Sequence, residues 1–186
     1  VFKWGSYGNG DGQFYLPIGV AVDSSGFVYV SDWGNHRIQK FTADGTFVSK
    51  WGSQGTGDGQ FQYPREIAID ISGYVYVPDF NHRIQKFTSD GTFICKWGGQ
   101  GGEDGQFRNP TDIAIDDSSS IYVADKENYR IQKFTSNGIF VTKWGSYGSG
   151  DGQFFGPGAI ALDANGYIYV CDVGNHRVEK FRPVSN

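Results

Sequence analysis

Four kinds of short apolar-rich run follow one another along this chain and then return in the same order: IAID or a variant of it, VYV or IYV, IQKF, and TFVSKW or IFVTKW. Alternation of apolar and polar positions with enrichment in Val, Ile, Tyr and Phe predicts β-strands. No segment holds an apolar period of 3.6 residues, so helices are expected to be essentially absent. The punctuation agrees. Ser25-Gly26, Ser72-Gly73 and Asn165-Gly166 mark a turn between the first two runs, and Asp44-Gly45, Asp90-Gly91 and Asn137-Gly138 predict tight hairpins between the last two.

The runs belong to a repeat. Trp4, Trp51, Trp97 and Trp144 stand 47, 46 and 47 residues apart, and each interval carries the same four predicted strands. Four-stranded antiparallel units of this length, stacked side by side, are the blades of a β-propeller. Residues 1–186 are therefore expected to form a single all-β domain of four blades. The opening VFKWG matches a fourth strand and the closing HRVEKF a third, so the N-terminal strand is expected to complete the last blade and close the ring within one chain, giving a monomer. A head-to-tail dimer of eight blades is the alternative closure.

One segment of the repeat looks chemical: DWGNHRIQKF from Asp32, DFNHRIQKF from Asp79, DKENYRIQKF from Asp125 and DVGNHRVEKF from Asp172. His36, His82 and His176 are the chain's histidines, and each fills the same slot of a different blade, with Tyr129 in the remaining one. A zinc ion needs ligands about 2.0 to 2.1 Å away, converging on one point. Equivalent positions on separate blades do not converge, so no metal is expected there. The Asp that opens the segment and the Arg that closes it are suited to tie the second and third strands through charge-assisted hydrogen bonds. The GDGQF loops at Asp11, Asp58, Asp104 and Asp151 offer too few acids for calcium, and each Phe is expected to wedge between blades.

The sequence PxxIAxD, followed by VYVxD and NHRIQKF, resembles the NHL repeat over nearly the whole chain. That resemblance implies the propeller fold. It leaves function open among binding modules, RNA-binding NHL domains and propeller lyases similar to the peptide-amidating and streptogramin lyases. For a lyase, the candidates outside the repeat pattern would be Arg65, Glu66 and Tyr63.

Composition narrows the field. With 16 basic and 20 acidic residues the net charge is -4, the reverse of what a nucleic-acid surface rewards. Removing the basic residues that recur in every copy leaves Arg65, Arg108, Lys126 and Arg182, accompanied by acids such as Glu66, Asp112 and Glu127, so no basic patch is concealed. No apolar run is long enough to span a bilayer. Met is absent even from position 1, which suggests a part of a longer product, and an extracellular or cell-surface setting is expected. Cys95 and Cys171 occupy non-equivalent slots and read as free thiols.

Function in a repeat protein is expected where the copies differ. Tyr7, Tyr15, Trp33, Tyr63, Phe80, Tyr147 and Phe155 fall in the loop entering the innermost strand or in the turn before NHR, which share one face of such a propeller. The expected binding residues are Trp33, Tyr63, Arg65, Phe80, Arg108, Lys126 and Phe155, on a non-catalytic module that takes a protein or carbohydrate partner. No catalytic residue, cofactor or metal is expected.

Overall fold

The structure, a computed structural model, describes residues 1–183. It is a four-bladed β-propeller with almost no helix. Blade 1 comprises β1 (Pro17–Val22), β2 (Val28–Asp32), β3 (Arg37–Phe41) and β4 (Phe47–Trp51), paired in that order. Blade 2 comprises β5 (Ala68–Ile69), β6 (Val75–Asp79), β7 (Arg83–Phe87) and β8 (Phe93–Gly98). Blade 3 comprises β9 (Pro110–Ile115), β10 (Ile121–Asp125), β11 (Arg130–Phe134) and β12 (Phe140–Trp144). Blade 4 has three strands, β13 (Pro157–Leu162), β14 (Ile168–Asp172) and β15 (Arg177–Phe181). All of these pairings are antiparallel. β5 is cut short in a particular place. Pro78 stands in β6 where the other blades have Ser31, Ala124 and Cys171, and it has no N–H to give a ladder.

Each blade is held by one buried carboxylate. Asp32 faces Arg37 across β2 and β3, and Arg37 Nε donates to Asp32 Oδ2 over 2.7 Å. Asn35 and Gln39 donate to the same carboxylate, and so does the Tyr15 N–H from the loop entering β1. The remaining guanidinium nitrogens of Arg37 donate to the carbonyls of Asn9, Gly10 and Gln13 in the Gly-rich loop. The arrangement recurs at Asp125 and Arg130, where Arg130 reaches the carbonyls of Gly102, Glu103 and Gln106. It recurs again at Asp79 with Arg83 and at Asp172 with Arg177. The expected tie between the second and third strands is present, and it also anchors a loop 24 to 28 residues earlier in the chain.

Blades pack through aromatic and aliphatic side chains. Tyr29 and Ile38 of blade 1 share a core with Phe61, Ile67, Val75, Val77 and Phe87 of blade 2, so Phe61 of the GDGQF loop does wedge between blades. Blades 2 and 3, and blades 3 and 4, meet in the same way. The KWG tryptophans look forward along the chain: Trp51 packs on Phe87, Trp97 on Phe134 and Trp144 on Phe181, each in the following blade.

The absent outer strand of blade 4 corrects the expected closure. Residues 1–6 form no strand, and Trp4 packs on Phe41 of blade 1, not on blade 4. A tryptophan of this repeat belongs to the next blade, so Trp4 is held at blade 1 whatever its own strand pairs with. Four blades at this spacing do not bring β15 round to it. Among the described residues no hydrogen bond, ion pair or ring contact joins blade 1 to blade 4.

The Asp-Gly dipeptides do form the expected tight hairpins. Thr42 N–H donates to the Thr46 carbonyl and Gly45 N–H to the Thr42 carbonyl, so three residues bridge the pair and Gly45, at φ 80°, supplies the left-handed position. This glycine has a second duty, best seen at Gly138. A Cβ there would lie 2.4 Å from Trp97, whereas at Gly105, with the same φ of 79°, nothing lies within 4 Å. Both Gly→Ala changes carry the same backbone strain, so their difference isolates the tryptophan contact. In urea denaturation Gly138→Ala is expected to lose about 1 to 3 kcal/mol more than Gly105→Ala. Equal losses would mean that the indole shifts freely and does not fix the blade angle.

Candidate functional site

The loop entering each innermost strand and the turn before NHR are bound to each other by backbone. Gly34 N–H donates to the Tyr15 carbonyl, Phe80 N–H to Gln62, Glu127 N–H to Arg108 and Gly174 N–H to Phe155. Both loop types therefore share one face, as the sequence implied. The turn is one turn of 3-10 helix at Trp33–Asn35, Lys126–Asn128 and Val173–Asn175, while blade 2, one residue shorter there, makes a plain turn.

The histidine slot links neighbouring blades. His36, His82, Tyr129 and His176 all have φ between 55° and 59°, a conformation uncommon for such residues. It aims the ring at the next blade, where Tyr63 N–H donates to His36 Nδ1 over 3.1 Å and Asn109 N–H to His82 Nδ1 over 3.0 Å. Accepting at Nδ1 requires the unprotonated nitrogen, and burial holds the pKa of His36 below its ordinary value. Among the described residues no group of three or more His, Cys, Asp or Glu is placed to hold a metal ion.

Above the junction of blades 1 and 2 the non-repeated rings form a row. Trp33 stacks on Tyr63 with centroids 4.2 Å apart, Tyr63 meets Phe80 edge-on at 6.2 Å, and the Arg65 guanidinium lies 5.4 Å from the Phe80 ring. Arg65 also donates to Asn109 Oδ1, and Asn109 Nδ2 donates to Glu127 Oε1, which carries the row toward blade 3. Phe80 is exposed, whereas Trp33 and Tyr63 are half-buried. The structure thus unites four of the expected residues: Trp33, Tyr63, Arg65 and Phe80.

The other three stand apart from that row. Arg108 is exposed beside Glu127, the Lys126 stem lies near Gly156, and Phe155 packs edge-on against Tyr147. Tyr147 and Phe155 line a small cleft with Asn175, and Tyr7, Tyr15 and Asn35 line its counterpart in blade 1. These clefts belong to the repeat, which is why subtraction alone could not separate them from the row above blade 2.

Two acids near the ring axis were not singled out as binding residues by the sequence. Glu66 occupies the slot of Gly19, Asp112 and Ala159. Burial, with the charge of nearby Asp112 adding to it, raises the Glu66 carboxyl to about 7. Burial raises Asp112 as well, against N–H donors from Ile113 and Ile160. A Cβ on Gly19 would come within 2.8 Å of the Arg65 carbonyl, so the close approach of blades 1 and 2 here needs glycine. Asn109, the bridge between Arg65 and Glu127, was missed too, because nothing in the sequence marks two loops as touching.

A carboxyl raised on folding favours the native state at low pH, and that contribution disappears as pH rises through its folded value. Glu66→Gln is therefore expected to melt no higher than the parent at pH 4 and clearly higher at pH 8, with the gap widening from the ordinary carboxyl value of 4.5 up to about 7 and constant above it. A gap independent of pH from 5 to 8 would show that Glu66 is solvated and ionised throughout.

Comparison with known proteins places these contacts. The NHL repeat model matches residues 14–41, 107–134 and 154–181, the cores of blades 1, 3 and 4. Protein lin-41 of Caenorhabditis elegans is 43% identical over 49 residues, 26% of this chain and 4% of that protein. E3 ubiquitin-protein ligase TRIM71 of Rattus norvegicus is 45% identical over 47 residues, 25% of this chain and 6% of that protein. The chain thus spans only a small part of the curated relatives it matches. Among solved structures a streptogramin B lyase superposes with a TM-score of 0.68 at 16% identity, covering 91% of this chain and 55% of the lyase. With three units matched and the second blade built on the same Asp, Asn, His and Arg contacts, this β-propeller carries NHL repeats.

Proposed function

We propose that the chain is a non-catalytic interaction module that presents the Trp33, Tyr63, Phe80 and Arg65 row to a segment of a protein partner. The observation that carries this reading is the continuity of the row. Three rings and a guanidinium that the repeat does not require lie side by side at one blade junction. Aromatic and arginine side chains supply most of the energy at protein interfaces. Arg108 and Lys126 on the same face, with Glu127 between them, extend the surface with mixed charge. That balance suits a peptide better than a phosphate backbone.

A lyase reading would draw on Tyr63, Arg65 and Glu66. Tyr63 is stacked on Trp33 and Arg65 is committed to Asn109, and among the described residues no hydrogen bond joins either of them to Glu66. The likeness to the streptogramin B lyase supports a shared fold at this identity and nothing about chemistry.

The test is selection of binders to the immobilised protein from a random peptide display library, followed by affinity measurement on variants. Phe80→Ala and Arg65→Ala are each expected to weaken the selected peptides at least tenfold while the melting temperature stays within a few degrees. Phe155→Ala serves as the control on the opposite part of the face. Peptides that bind Phe80→Ala and Arg65→Ala as tightly as the parent, or capture of glycans in place of peptides on an array, would overturn the proposal.

A further inference from the structure

Blades 2 and 3 are covered on both faces by their neighbours, but the outer faces of blades 1 and 4 are not. On β1 Val20 is 63% exposed, while its counterparts Ile67, Ile113 and Ile160 are 6%, 4% and 7% exposed. On β15 Val178 is 62% exposed, while its counterparts Ile38, Ile84 and Ile131 are fully buried. Ile18, Val22 and Leu16 extend the apolar surface of blade 1, and Cys171 that of blade 4. These two faces are different surfaces. One is the leading face of the repeat and the other its trailing face, and the molecule already contains three junctions in which such faces meet.

Those junctions specify what each open face lacks. Lys40 Nζ donates to the Ser89 carbonyl and Lys86 Nζ to the Ser136 carbonyl, each across a blade boundary. The counterpart for Lys180 is the carbonyl of Ala43 on blade 1. His36 and His82 accept from the N–H of Tyr63 and Asn109, and the counterpart for His176 is the N–H of Leu16, which shares their left-handed φ. Lys50 pairs with Asp11, Lys96 with Asp58 and Lys143 with Asp104. Among the described residues this series leaves Asp151 and Lys3 without an ion-pair partner, one acid on blade 4 and one base before blade 1.

The N-terminal segment is already in position for the same junction. An outer strand pairs with the third strand of its own blade and sends its Trp onto the next. Trp4 lies on Phe41 of blade 1, which leaves Phe2–Trp4 placed as the outer strand of a blade preceding blade 1. β15 is the third strand without an outer neighbour. The register of Ile38 with Trp51 and Gln39 with Lys50 transfers to Val178 with Trp4 and Glu179 with Lys3, an acid facing a base where the other blades have Gln and Lys.

We propose that residues 1–186 pair head to tail with a second copy of the chain. The leading face of blade 1 and the strand Phe2–Trp4 of each copy dock on the trailing face of blade 4 of the other. Two identical junctions then close an eight-bladed ring by two-fold rotation.

The test is native mass spectrometry with sedimentation velocity at about 20 μM protein. The parent is expected to run as two chains of 20.5 kDa each. Val20→Asp and Val178→Asp sit on exposed positions of the single copy, so each is expected to keep its circular dichroism spectrum yet run as one chain. Mixing the two variants is the decisive arm. One keeps an intact blade 4 face and the other an intact blade 1 face, so one sound junction forms and the two-chain species reappears. A parent that is a single chain at this concentration, open polymers in place of a closed pair, a dimer indifferent to both substitutions, or a mixture that stays monomeric would each overturn the proposal.

Discussion

Asp32, Asp79, Asp125 and Asp172 are fully buried carboxylates, and each is the point at which two strands, a turn and a distant loop are tied together. A carboxylate of this kind is costly to bury, and burial does push Asp79 and Asp125 upward from the ordinary range. Arginine, asparagine and a loop N–H offset that cost by donating to it. Because the same arginine also binds three carbonyls of the Gly-rich loop, the loop cannot shift without exposing a buried charge. Everything on the candidate face stands on loops positioned in this way. The exposed Lys–Asp pairs at Lys50, Lys96 and Lys143 are half in water and contribute at most about 1 kcal/mol each, so they follow the fold and do not set it.

The repeat dictates a direction as well as a structure. Tryptophan, lysine and histidine of one blade each reach a fixed partner on the next: a phenylalanine ring, a backbone carbonyl and a backbone N–H. An arc of such units that does not close on itself leaves one set of partners at each end. In blades 2 and 3 these sets are satisfied internally, and at Val20 and Val178 they face solvent. The NHR segment, which looks like a reactive site, is the hardware of this connection.

Much of the fold was readable because its signals are local. Alternation, the Ser-Gly and Asp-Gly turns and the Trp spacing place fourteen of the fifteen strands at close to full length, and the exception, β5, follows from Pro78. The Asp–Arg tie was legible from chemistry and spacing alone. Closure was not, because it depends on the rotation from blade to blade, which accumulates from small packing choices at Trp97 against Gly138 and its equivalents and leaves no mark in any one segment. The site shows the same division. Trp33, Tyr63, Phe80 and Arg65 stood out as departures from the pattern, but their convergence, and the roles of Asn109 and Glu66, arise from contacts between loops 44 to 46 residues apart.

A double-mutant cycle on Asp125 and Arg130 tests most directly whether the buried carboxylate carries the blade. Asp125→Asn, Arg130→Gln and the double variant would be compared with the parent by urea denaturation. Coupling between the two side chains is expected at about 1.5 to 3 kcal/mol, with each single variant losing more than an exposed-pair variant such as Lys96→Ala. A coupling below about 0.5 kcal/mol, or single variants that unfold at the same urea concentration as the parent, would contradict this view of what holds the blades together.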